Sequence, residues 1–216
     1  MKNFNLIICG VGGQGNLLLE KILGLSAIRS GYAARAADTF GASQRGGAVL
    51  SHFRMGSGVH ASLVPMGKSH IVLGLEPVET LRAAVQYLCP QGIVVVNTAP
   101  VLPVLVKAGK AAYPSPEIVL RLLSRLTENL INLDATRLTR EASGNARSMN
   151  ITILGVLIGL DVLPLDVDSV KAVIADTSPI HVSGNMAAFE AGWNLGCEKR
   201  SALTPAISCW REKRTV

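Results

Sequence analysis

The sequence predicts an α/β fold in which helices cover both faces of a mostly parallel sheet. Apolar runs without polar alternation, typical of strands buried on both faces, occur at 4–10, 70–76 and 92–97. Between the first two runs, apolar residues recur at helical spacing over 16–30. Strands that alternate with helices in this way are typical of an α/β sandwich.

The other segments extend this pattern within one predicted domain, residues 1–198, followed by a basic tail, residues 199–216. A weaker strand is predicted at 33–38. The segments "AVLSHFRM" (48–55) and "HASLVPM" (60–66) flank "GSG" and predict an antiparallel hairpin. Further elements are predicted as a helix from about Pro77, strands near 111–113 and at 131–135, and helices at 116–130, 136–142, 148–160, 166–176 and 183–197.

Composition favours a cytoplasmic protein with a substantial subunit interface, and an ordinary monomer with a well-filled core is the alternative. The chain is 49% hydrophobic and 17% charged. Its longest uncharged apolar stretch, 148–160, is shorter than the ~20 residues that a spanning helix needs. The first residues also lack the pattern of a signal peptide.

Charge and cysteines exclude several kinds of site. The net charge is +6, but aromatic residues are only 4% and no nucleic-acid-binding motif occurs, so a nucleic-acid partner is not expected. No pair among Cys9, Cys89, Cys197 and Cys209 has C-x-x-C spacing. We therefore expect neither a zinc site nor an iron–sulfur cluster in this chain.

A glycine loop, "GVGGQG" (10–15), follows the first strand and matches G-x-G-x-x-G. Such a loop allows a tight turn, close approach of backbone amides to a ligand, and close helix packing, and it favours anions at the helix N-terminus. Asp38 follows Gly15 by 23 residues, near the spacing of a ribose-binding carboxylate. These two features leave open a stand-alone Rossmann-type protein that binds NAD(P) or a flavin.

The segment after Asp38 argues against a dinucleotide site. "TFGASQRGGAVLSHFR" (39–54) provides a polar loop and a predicted hairpin where a second helix and third parallel strand would be needed. Within this loop, Arg45 precedes Gly46 and Gly47, so a partner or ligand can approach the guanidinium closely. In the alternative interpretation, Gly46 and Gly47 only form a bend before the hairpin.

Several motifs together resemble one protein family. "GVGGQG", "ASQRGGAVLSHFR", "GKSHIVLGLEPVETLR", "MNITILGVLIGL" and "NMAAFEAGW" occur in the same order in gamma-type subunits of 2-oxoacid:ferredoxin oxidoreductases. Among these, the sequence resembles the beta subunits of indolepyruvate ferredoxin oxidoreductases over roughly residues 4–195.

The resemblance implies a single Rossmann-like α/β/α sandwich that is inactive alone. It also implies a large alpha subunit that carries thiamine diphosphate and iron–sulfur clusters. The assembled enzyme would oxidatively decarboxylate an aryl pyruvate such as indolepyruvate, reduce ferredoxin and release an acyl-CoA. The sequence agrees in having no G-D-G…N thiamine signature.

No catalytic residue or metal ligand is assigned to this chain from its sequence. Arg45 is expected to meet the large subunit or a phosphate, and Asn150 and Asn185 are expected to be structural. The alternative is that the glycine loop only closes a strand–helix turn at a subunit interface. The candidates for contact with CoA, a phosphate or the partner are Gly10, Gly12, Gly13, Gln14, Gly15, Ser43, Gln44, Arg45, Gly46 and Gly47.

Overall fold

The computed structural model describes residues 3–40 and 47–204. The strands are β1 (Phe4–Val11), β2 (Ala33–Phe40), β3 (Ala48–Gly56), β4 (Ser69–Gly74), β5 (Leu88–Asn97) and β6 (Leu130–Leu133). The helices are α1 (Asn16–Arg29), α2 (Pro77–Tyr87), α3 (Val104–Lys107), α4 (Pro116–Leu126), α5 (Ala135–Ser143), α6 (Met149–Gly159), α7 (Val167–Thr177) and α8 (Val182–Lys199). Short 3₁₀ turns occupy Pro179–His181 and Arg200–Ala202.

The six strands form one mixed sheet in the order β2-β3-β1-β4-β5-β6. Strands β1, β4, β5 and β6 are mutually parallel. Strand β3 is antiparallel to both of its neighbours, β1 and β2. The predicted fold class, a mostly parallel sheet between helices with an antiparallel hairpin, is confirmed.

The predicted partner of β3 was wrong. β3 pairs along its length with β1 on one side, from Phe4 opposite Met55 to Val11 opposite Ala48, and with β2 on the other side. Both edges of β3 are therefore occupied, and residues 60–66 form no strand. The antiparallel hairpin consists instead of β2 and β3.

Other boundaries differ by a few residues. No strand forms at 111–113. The helix predicted at 116–130 ends at Leu126, because Thr127 turns to an extended conformation and its hydroxyl donates to the Gly92 carbonyl at 2.6 Å. Helix α8 continues to Lys199, so the predicted domain end at 198 falls in its last turn.

Two hydrophobic layers enclose the sheet. The larger layer packs α1 and α5 to α8 against one face, and the smaller layer packs α2 and α4 against the other. Every residue of α6 is buried, so this helix is apolar on all sides. The run "MNITILGVLIGL" is thus a central core helix, consistent with its being too short to span a membrane.

Helices α6 and α8 approach each other through glycines. A Cβ atom on Gly155 would overlap the carbonyl oxygen of Phe189, and one on Gly192 would overlap the carbonyl oxygen of Thr152. Because the obstructing atoms are backbone, they cannot turn aside as a flexible side chain could. Close contact between the two helix backbones therefore requires glycine at these positions.

We expect Gly155→Ala to lower the free energy of unfolding by about 1–3 kcal/mol, the usual cost of forcing extra volume into a packed core. Gly24→Ala is the matched control, since a Cβ there, within α1, meets nothing within 4 Å. The control should raise stability by about 0.5–1 kcal/mol, because alanine is the better helix former. Urea unfolding of both variants measures the difference, and equal stabilities would contradict this account of the α6–α8 contact.

Candidate functional site

The glycine loop forms the turn between β1 and α1. Gly13 and Gly15 have left-handed backbone conformations, with φ of +100° and +88°. The amide of Gly12 donates to the carbonyl of Gly47 at 2.9 Å, which joins the loop to the start of β3. A Cβ on Gly15 would overlap the Asn150 carboxamide, so this glycine permits close contact with α6.

Gln14 bridges the carboxyl ends of β1 and β4. Its Oε1 atom accepts from the Val11 amide at 2.8 Å, and its Nε2 atom donates to the Leu75 carbonyl at 2.9 Å. The chain leaves β1 and β4 in opposite directions along the sheet, so this is the switch point where doubly wound sheets bind nucleotides. In this chain the Gln14 side chain already hydrogen-bonds to the backbone groups of that crevice.

A cleft of about 450 Å³ opens on the other side of the glycine loop, between the N-terminal ends of α1, α6 and α8. Arg147 contributes a guanidinium group and His181 an imidazole, and both residues are exposed. None of the described residues that line the cleft is acidic. The lining residues are Gly13, Gln14, Gly15, Leu18, Ser143, Asn145, Arg147, Ser148, Asn150, Ser178, Ile180, His181, Ser183, Gly184 and Asn185.

The helix ends that meet at this cleft differ from those elsewhere in the molecule. Helices α2, α4, α5 and α7 each begin at a residue whose side chain accepts a hydrogen bond from the first turn. Helices α1, α6 and α8 have no such side-chain cap and no acidic residue in the first turn. The positive dipole ends of these three helices favour a negatively charged group in the cleft.

The two buried asparagines brace the cleft walls. Asn150 donates from Nδ2 to the carbonyl of Gly15 at 3.3 Å, which ties α6 to the glycine loop. Asn185 accepts from the Ser148 hydroxyl at 2.6 Å, which ties α8 to the start of α6. Both residues are at least 95% buried, with 4% and 5% exposure. The expected structural role of these side chains agrees with these hydrogen bonds.

The structure brings part of the predicted site together. Residues 10–15 form one turn, and Gly47 joins it through the Gly12 amide. Ser43, Gln44, Arg45 and Gly46 lie outside the described residues. The cleft also contains residues that sequence reasoning missed, above all Arg147. The absence of acidic residues in the first turns of α6 and α8 was an available signal, but the meeting of these helix ends at one cleft depends on the fold.

Asp38 does not lie where a ribose-binding carboxylate would. Because β3 separates β2 from β1, Asp38 is two strand spacings, about 10 Å, from β1. Through Ser51 it is level with Ile8, three residues below the end of β1. Its carboxylate accepts a hydrogen bond from the Ser51 hydroxyl and lies beside Glu20 of α1. Burial, and secondarily this neighbouring carboxyl group, raise the pKa of Glu20 to about 7.

His52 and Cys9 fit structural roles. His52 is buried, accepts at Nδ1 from the Val64 amide at 3.2 Å, and has its pKa lowered mainly by burial. Burial also raises the pKa of the Cys9 thiol far above its usual value. Within residues 3–40 and 47–204, no three potential ligand side chains are grouped closely enough to hold a metal ion. No helix in these ranges combines the length and apolar character that crossing a membrane requires.

Comparison with known proteins decides the family. The family model described as pyruvate ferredoxin/flavodoxin oxidoreductase matches residues 5–195. The chain belongs to this family. It is 39% identical over 194 residues to "Indolepyruvate oxidoreductase subunit IorB" of Pyrococcus horikoshii, covering 89% of this chain and 95% of that protein. The protein of the same name from Thermococcus kodakarensis is 38% identical, with the same coverage.

Solved structures of oxidoreductase subunits share the fold. The pyruvate oxidoreductase subunit PORC of Thermotoga maritima superposes with a TM-score of 0.65 at 19% identity, covering 90% of this chain and 97% of that one. The 2-oxoglutarate:ferredoxin oxidoreductase of Magnetococcus marinus, solved with 2-oxoglutarate, coenzyme A and succinyl-CoA bound, gives a TM-score of 0.69 at 16% identity. This chain spans about a third, 32%, of that longer chain.

We expect this family member to have no useful affinity for NAD(H) or NADP(H). Gln14 occupies the switch-point crevice, and Asp38 is displaced by β3 from the position that binds ribose. Calorimetric titration of the chain with each nucleotide tests this expectation. A micromolar dissociation constant, about 8 kcal/mol of binding free energy, would contradict it.

A second expectation concerns pH and Glu20. An unfolded glutamic acid loses its proton near pH 4.5, whereas the folded one keeps it to about pH 7. Folding is therefore less favourable as the pH rises through this window. Glu20→Gln should become more stable relative to the parent between pH 5 and pH 8, as measured by urea unfolding. The exposed Glu198→Gln is the control, and a similar pH trend in both variants would contradict a special role for Glu20.

Proposed function

We propose that this chain is the small subunit of a 2-oxoacid:ferredoxin oxidoreductase that acts on an aryl pyruvate, such as indolepyruvate. Support comes from the two relatives at 38–39% identity, whose names give that substrate and whose length this chain covers to 95%. In the proposed enzyme the oxoacid is oxidatively decarboxylated, ferredoxin accepts the electrons, and the acyl group leaves as a CoA thioester.

The redox cofactors belong to a large alpha subunit in this proposal. The described cysteines lie on separate elements, with Cys9 buried in β1, Cys89 at the start of β5 and Cys197 exposed on α8. Such a distribution does not fit an iron–sulfur cluster. As the family resemblance implies, thiamine diphosphate and the clusters are assigned to the partner in this proposal, and this chain is expected to be inactive alone. The absence of disulfides among these cysteines fits a cytoplasmic enzyme.

The cleft beside the glycine loop is the proposed contact for a phosphate group of CoA. CoA would supply the thiol that accepts the acyl group. The three helix ends without side-chain caps can donate backbone hydrogen bonds to phosphate oxygens. Arg147 can add a bidentate, charged pair of hydrogen bonds. Residues 1–198 are proposed to form the domain that carries this cleft, and 199–216 a basic tail.

Co-expression with the proposed large subunit tests the proposed function. The complex should reduce a dye with indolepyruvate and CoA, whereas this chain alone should not. Arg147→Ala should raise the KM for CoA about tenfold or more with little change in kcat, since charged hydrogen bonds contribute about 1.5–3 kcal/mol. Arg121→Ala, an exposed arginine on α4 in the opposite layer, is the control and should match the parent.

Two outcomes would contradict this proposal in different ways. If the large subunit is equally active alone and in complex with this chain, this chain is not a functional subunit of the enzyme. An active complex whose KM for CoA is unchanged by Arg147→Ala would leave the subunit role in place and remove the cleft as the phosphate contact.

A further inference from the structure

The sheet face opposite α1 is incompletely covered by helices. Among the residues that the structure describes, α2 and α4 pack there together with residues 57–68, here called the strap, which join β3 to β4. The strap inserts Val64 into the core beside Ile7 and Val72. It therefore replaces, over β1 and β3, a helix that would normally complete this layer.

Hydrogen bonds hold the strap in one position on the sheet. Arg54 donates from one guanidinium nitrogen to the carbonyls of Ala61 and Leu63, at 2.9 and 3.3 Å. At the other end of the strap, the Gly67 amide donates to the carbonyl of Gln86 at 3.0 Å. The backbone of the strap is thus held in one position by the fold.

Three large apolar side chains are exposed where the strap meets the end of α2. Leu63 is 59% exposed, Met66 70% and Val85 68%. The bond between Gly67 and Gln86 places Met66 next to the last turn of α2, which carries Val85. We call these three residues the apolar patch. Several large apolar side chains exposed in one region are typical of an interaction site.

The charges around the apolar patch indicate the kind of partner. Lys68 is exposed beside Met66, and Arg82 is exposed one turn before Val85. Arg82 forms an ion pair with Glu79 at 2.5 Å, and the guanidinium is the more exposed partner, at 69% against 14% for the Glu79 side chain. A second copy of this chain would bring like charges together at such a contact. A different protein with apolar side chains inside a rim of carboxylates fits both the patch and its surroundings.

We propose that the apolar patch is the docking surface for the large subunit, which presents apolar side chains bordered by carboxylates. This inference rests on the proposed function, because it names the surface through which that complex assembles. The cleft beside the glycine loop lies in the opposite layer, bordered by α1, α6 and α8. Docking through the apolar patch therefore leaves the cleft open to a small molecule or to another part of the same partner.

The test measures binding of the purified chain to the immobilised large subunit. Met66→Glu and Val85→Glu should each weaken the dissociation constant at least tenfold, about 1.4 kcal/mol, because a carboxylate then meets both apolar surface and like charge. Met66→Lys should bind more tightly than Met66→Glu, since lysine complements an acidic rim. Ile28→Glu, at a 61% exposed position on α1, is the control and should bind within twofold of the parent.

Each isolated variant should melt close to the parent, because the substituted side chains are exposed. If the parent itself does not bind the large subunit, the proposed function fails. If the parent binds and the two glutamate variants bind equally well, the docking surface is wrong. It is also overturned if Met66→Lys and Met66→Glu weaken binding equally, or if the isolated parent sediments as a dimer that Met66→Glu dissociates.

Discussion

The insertion of antiparallel β3 between β1 and β2 is the constraint on which much of this structure depends. It moves β2 one position outward, so Asp38 lies beside Glu20 and Ser51 and away from the glycine loop. It also occupies both edges of β3, which leaves residues 57–68 to lie over the sheet as irregular structure. The carboxylate that would bind ribose in a dinucleotide-binding sheet is therefore displaced from the glycine loop.

The glycine loop keeps the shape of a nucleotide-binding turn but uses its polar groups differently. Gln14 satisfies the backbone at the carboxyl ends of β1 and β4, and the Gly12 amide bonds to Gly47. The part of the loop that lines the cleft faces the N-terminal ends of α6 and α8, beside the hydrogen bond between Asn150 and Gly15. A shared sequence motif therefore does not fix which side of the loop meets a ligand, since neighbouring side chains decide that.

The packing of α6 against α8 buries many of the apolar residues of this chain. Helix α6 is buried on all sides, and glycines let its backbone lie directly against that of α8. The same contact brings the starts of α6 and α8 close enough for Ser148 to bond Asn185, so the core packing also builds the cleft walls. Stability and the geometry of the candidate site thus depend on the same interface.

The sequence by itself determined the fold class and most elements, because short continuous apolar runs indicate buried parallel strands and apolar residues at helical spacing indicate helices. Its motifs also identified the family and the glycine loop. Only the tertiary structure decided the pairing of β3, the bridging role of Gln14 and the cleft that includes Arg147. Each of these depends on contacts between residues far apart in the chain, such as Gln14 with Leu75 and Asn150 with Gly15, which local sequence patterns do not encode.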